Sequence, residues 1–182
     1  MEKTNQKINW ISLSTGMVAC LALRLIPFRA PNVEPIFATQ MPFAKAYGEF
    51  AGVLFGVTSV VAYDFITHTS GVWTLVTAAA YGMLGFFSAR YFKNKQPSRK
   101  NFVSFAIMGT LFYDAVTGLT VGPLLFHQSF ITALVGQIPF TALHLIGNTL
   151  FAAVISPVLY TFLLQHKQRL KVTNYKVSYQ VN

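Results

Sequence analysis

The chain has 182 residues, of which 53% are hydrophobic, 15% aromatic and only 10% charged, and its mean hydropathy is +0.48. An ordinary soluble domain carries about 25% charged residues, so the composition excludes one. The net charge of +9 does not describe a nucleic-acid binder either. Such proteins gather their cations on one solvated face, whereas here the cations fall in short connectors between apolar runs.

Since a helix needs roughly 20 residues to cross the hydrocarbon, the length predicts one all-α membrane domain of about six transmembrane helices. The polar start, Met1 to Asn9, leads into an apolar run that reaches Phe28 without a small-residue cleavage site, so no cleavable signal peptide is expected. The first span is predicted over 10–28, ending at Pro27 with Arg24 and Arg29 beside it. Its loop reads R-A-P-N-V-E-P from Arg29 to Pro35, and two prolines hold it turned or extended. The second segment, 36–46, is about eleven residues, short for an untilted crossing. It either crosses with tilt or re-enters; we read it as a short crossing, because that returns Lys45 to the basic side. The third span is expected over 50–66, rich in glycine and β-branched residues, and the fourth over 72–91, ending in R-Y-F-K. A polar connector, Lys93 to Asn101, leads to the fifth span over 102–119. Residues 120–130 contain Gly122, Pro123, His127 and Gln128 and read as an outer loop or a partly inserted element. The sixth helix is expected over 131–165, tilted or kinked around Pro139 and Pro157, with a basic tail over 166–182.

This layout gives an orientation. Cytoplasmic connectors of membrane proteins are enriched in Lys and Arg. With both termini cytoplasmic, the inner connectors collect Lys3, Lys7, Lys45, Arg90, Lys93, Lys95, Arg99, Lys100, Lys167, Arg169, Lys171 and Lys176. Arg24 and Arg29 remain for the outside. A short internal echo also exists. Tyr63-Asp64-Phe65-Ile66-Thr67 closes the third span and Tyr113-Asp114-Ala115-Val116-Thr117 lies near the end of the fifth, as in transporters built from repeated halves.

An ionisable side chain inside a membrane costs about 2.5–3.5 kcal/mol at helix centre and marks a functional position by default. Asp64 lies near the outer end of its span, where it reads as an interfacial cap or a partner for Arg24 or Arg29. Asp114 lies deeper, with a ligand contact and a hydrogen bond to a neighbouring helix as its two readings. Arg29, Asn32 and Glu34 form a polar, proline-fixed outer loop suited to a binding edge or an ordinary connector. His127 and Gln128 can face the same cavity. Gln137, His144 and Asn148 recur at intervals of seven and four on one helical face, which must look inward, to a ligand or to other helices. Ser12, Gly16 and Cys20 form a small-residue stripe for close helix approach, either within the bundle or to a partner protein. Cys20 is the single cysteine, so no intrachain disulfide or cysteine metal cluster is expected. No H-E-x-x-H, G-x-S-x-G or Walker motif occurs, and the chain is not read as an enzyme or a metal binder.

The size and arrangement resemble the substrate-binding S component of an energy-coupling factor (ECF) transporter. The likeness rests on six spans, both termini inside, a short second helix, a basic connector between the fourth and fifth spans, the P-N-x-E-P loop Pro31–Pro35 and a glycine-rich third helix. The family's helix-one A-x-x-x-A contact pattern is absent, and Ser12-x-x-x-Gly16 or Gly16-x-x-x-Cys20 would stand in for it. The resemblance implies capture of a vitamin or similar micronutrient from outside, with Asn32, Glu34, Asp114, His127, Gln128, Gln137 and His144 as binding side chains. It implies docking on a transmembrane coupling protein and two ATPase subunits, with toppling of the component in the bilayer. No intrinsic cofactor is expected; ATP is used by the partner subunits. Two other readings stand beside it: a small proton-coupled secondary transporter using Asp64 or Asp114, and a non-transport assembly factor.

Overall fold

The computed structural model describes residues 7–27 and 34–180, with side chains described through residue 165. These residues form six α-helices: α1 Trp10–Arg24, α2 Ile36–Tyr47, α3 Glu49–Ile66, α4 Val72–Lys93, α5 Arg99–Phe126 and α6 Phe130–Gln180. No strand occurs among the described residues. Four of them, α3 to α6, are long and apolar enough to cross a membrane. Only 28–50% of their most apolar windows is buried within the bundle. The outer faces are left to side chains such as Phe65, Leu75, Leu124 and Val158. Apolar patches on soluble monomers rarely exceed a few hundred Å², so lipid is the solvent that suits this surface.

The short α2 is the centre of the bundle. It packs against α1, α3, α4, α5 and α6, and of its twelve residues all but Lys45 are buried. At about 1.5 Å per residue it is roughly 18 Å long, too short to match a bilayer, but it is screened from lipid by its neighbours. Its two ends lie at opposite ends of the bundle. Glu34, just before it, pairs with Arg24 at the end of α1. Lys45 Nζ donates to Phe92 O at the C-terminus of α4, where a cation suits the negative end of the helix dipole. α2 therefore runs from one end to the other and does not turn back.

The tightest joint is the crossing of α3 and α4. A Cβ on Gly85 would lie 2.2 Å from Gly52 O, and one on Gly52 would lie 2.5 Å from Gly85 O. Glycine lets the two backbones touch. Into this joint α2 inserts Gln40, whose Nε2 donates to Gly52 O (2.9 Å) and Tyr81 O (2.7 Å). Both partners are acceptors, so the amide orientation is fixed. The side chain is 1% exposed, and a Cβ on Gly56 or Gly85 would fall 2.3 or 2.5 Å from its nitrogen.

Several boundaries differ from the sequence expectation. α1 stops at Arg24 because Ile26 precedes Pro27 and is steered away from the helical region. Residues 120–126, expected as part of an outer loop or a partly inserted element, continue α5: hydrogen-bonding its own backbone is the cheapest state for an apolar run. The helix ends where His127 turns left-handed (φ 53°) and the amides of His127 and Gln128 both close on Gly122 O. α6 continues to Gln180, taking in most of the tail.

Gly85→Val is expected to abolish the folded monomer, because the new side chain meets backbone rather than a movable group. Gly136→Ala, where a Cβ meets nothing within 4 Å, should leave stability unchanged or raise it by up to about 1 kcal/mol. Detergent-phase size exclusion with thermal unfolding distinguishes the two; equal tolerance of both would refute the backbone contact.

Candidate functional site

A cavity of about 170 Å³ lies at the bundle end where α1 finishes and α2 begins. It is lined by Arg24, Glu34, Val60, Asp64, Trp73, Thr77, Tyr81, Tyr113, Phe140 and His144, so every helix except α2 lends it a side chain. Lys45, Arg90 and the Lys93–Asn101 connector lie at the other end, where Arg90 pairs with Glu49 (2.5 Å).

Arg24 builds one wall. Its side chain is 8% exposed, and a buried guanidinium is tolerable only if its donors are met. Nε contacts the Glu34 carboxylate at 2.8 Å, one terminal nitrogen donates to Ser59 O at 2.6 Å, and the guanidinium carbon lies 3.8 Å over the Tyr63 ring. Arg24 thereby joins α1, the entry to α2 and α3. Asp64, expected among other readings to pair with this arginine, instead accepts from Thr74 Oγ1 at 2.5 Å. Thr74 also accepts from the Gly71 amide at the start of α4, so Asp64 is tied to the opening turn of the next helix. It is half-buried beside Trp73 and forms the mouth.

The floor is polar and buried. His144 Nδ1 and Asp114 Oδ1 are 2.7 Å apart, and both side chains are 2% exposed. A carboxylate only accepts, so facing an ionised Asp114 the proton of this bond sits on Nδ1. The ring is held edge-on by Tyr113 and Phe140, with centroids at 5.6 and 5.5 Å. His144 Nε2, Asp114 Oδ2 and Tyr81 Oη are buried with no hydrogen-bond partner among the described residues. Unpartnered buried polar atoms are few in native proteins, and each calls for a reason. A turn further along α6, Asn148 donates to Thr110 on α5 (2.9 Å), and Ser156 donates to Ala38 O on α2 (2.8 Å).

The polar stripe on α6 thus divides. His144 reaches both Asp114 and the cavity, Asn148 joins helices, and Gln137, half-buried, lies against Gly118 with Thr141 as a long (3.4 Å) acceptor, outside the cavity lining. Glu34 lines the cavity, as does His144, while Asp114 stands directly behind it. His127 and Gln128 are exposed in the α5–α6 turn and do not line the cavity. Asn32, like Arg29, lies outside the described residues. The α1 stripe faces its own bundle: Cys20 is fully buried, and a Cβ on Gly16 would sit 2.3 Å from Phe43 Cζ on α2, while Ser12 is half-buried on the same face. Sequence reasoning passed over Gln40 and the rings Trp73, Tyr81, Tyr113 and Phe140. A glutamine alone in an apolar helix was a readable signal; the rings were four aromatics among many.

Among the described residues, no group of three or more His, Cys, Asp or Glu side chains converges to hold a metal. Comparison with protein-family models, curated proteins and solved structures finds no match to the chain.

Asp114→Asn and His144→Gln, made singly and together, should be non-additive, with a coupling of about 1–2 kcal/mol in reversible unfolding in mixed micelles. Simple additivity would show that the pair contributes nothing.

Proposed function

We propose that the chain is a six-span membrane protein with both termini cytoplasmic that captures a small molecule at its outer face, acting as the S component of an ECF transporter. One observation carries the capture reading: a cavity with unpartnered polar atoms on a buried floor, at the end of the bundle away from the basic connectors. With those connectors inside, the cavity opens outward. A concave site that combines aromatic rings with a few convergent polar groups is a usual form of a small-molecule site. The ECF assignment draws its support from the sequence resemblance together with the short central α2. In this role the chain binds its ligand unaided, and a coupling protein with two ATPases supplies the energy for delivery.

The docking face is then not the Ser12–Gly16–Cys20 stripe, which α2 occupies. The outer face of α1, where Ile11 and Val18 are exposed beside Thr15 and Ala19, is the part of that helix open to a partner.

The buried Asp114–His144 pair favours a second reading, proton-coupled transport, since such pairs serve as proton relays in transporters. Reconstitution separates the two. The purified chain in nanodiscs should bind ligand without ATP, and in proteoliposomes should accumulate none under a pH gradient. Gradient-driven accumulation that disappears in Asp114→Asn would establish the second reading and overturn the first. Co-purification with an ATPase pair from the native membrane is the expected companion result.

A further inference from the structure

We infer that the ligand of this cavity is a single-ring organic cation; the inference rests on the cavity being a ligand site and adds the chemical class. Volume sets the size. An apolar cavity of about 150 Å³ holds benzene, so about 170 Å³ admits one ring with a short substituent.

Charge sets the sign. The only cation that lines the cavity among the described residues is Arg24, and its guanidinium is already engaged by Glu34, Ser59 O and the Tyr63 face. Two carboxylates line the site, Glu34 and Asp64, and a third, Asp114, stands behind His144. Among the described residues, an anion would meet these with no cation beside the engaged Arg24. A cation would meet Asp64 at the mouth beside the rings of Trp73, Tyr81 and Tyr113, aromatic groups that attract positive charge. The floor can take donors: with the proton of a neutral ring on Nδ1 toward Asp114, His144 Nε2 accepts, and Tyr81 Oη can accept as well as donate. Both residues are 2% exposed, so neither need is met by bulk water. A protonated nitrogen at Asp64 and a ring or substituent N–H at His144 satisfy the mouth and the floor together.

Three near-isosteric probes test this on the full chain in nanodiscs: benzylammonium, benzyl alcohol and benzoate. Quenching of Trp73 fluorescence in a Trp10→Phe background reports occupancy. Benzylammonium should bind at least about tenfold tighter than benzyl alcohol, and benzoate weakest. Asp64→Asn should remove the preference for the cation while leaving benzyl alcohol unchanged. Should that variant fail to fold, Thr77→Lys serves instead: Thr77 lines the cavity and bonds only within its own helix, and the added cation should weaken benzylammonium and strengthen benzoate. Benzoate or benzyl alcohol binding as tightly as the cation would overturn the inference and leave the cavity a ligand site. Failure of all three probes to bind would overturn both.

Discussion

A guanidinium in an apolar bundle is stable only where its charge and donors are met, and Arg24 meets this condition by drawing three segments of the chain together. Glu34 supplies the countercharge, Ser59 O an acceptor and Tyr63 a ring face. Satisfying the arginine fixes the end of α1 against α3 and holds the entry to α2 beside them, and these are the walls of the cavity. The same contacts engage the guanidinium within the bundle. Beside it, the described lining is acidic and aromatic.

The opposite constraint acts midway along the bundle, where backbones approach without side chains between them. Gln40 gives both amide hydrogens to carbonyls of α3 and α4 at the point where Gly52 and Gly85 touch. A buried amide with both hydrogens paired specifies one arrangement of three helices, because any slip leaves donors unmet in an apolar medium. With α2 pinned at mid-length by Gln40, and at its ends by Glu34 and Lys45, the cavity end and the basic end are held apart at a set distance. Asp114–His144 and Asn148–Thr110 lock α5 to α6 in the same manner, so each helix that lines the cavity is positioned by a polar contact.

Much of this was legible in the sequence, and the parts that were not share a cause. Apolar run lengths located all six helices, and the seven-and-four spacing of Gln137, His144 and Asn148 correctly turned the last two inward. Deciding which acid pairs with Arg24 was beyond the pattern. Glu34 and Asp64 both lie at its end of the bundle, and the choice depends on the rotation of α1 and α3 about their axes. The same rotation turned Ser12, Gly16 and Cys20 toward Phe43 rather than outward. Composition misled at residues 120–126, where Gly122 and Pro123 looked like loop but an apolar run keeps its hydrogen bonds by staying helical. The aromatic walls were hidden by abundance: at 15% aromatic content, no single ring stands out until the fold brings four together.

The central claim is that the cavity faces outward while the basic connectors face in, and side-directed labelling tests it most directly. In a Cys20→Ala background, Thr77→Cys in the cavity lining and Lys95→Cys in the connector are exposed, in turn, to a membrane-impermeant maleimide. The account predicts that Thr77→Cys is labelled in intact cells and Lys95→Cys only after the membrane is opened. Labelling of Lys95→Cys in intact cells with Thr77→Cys protected would contradict it.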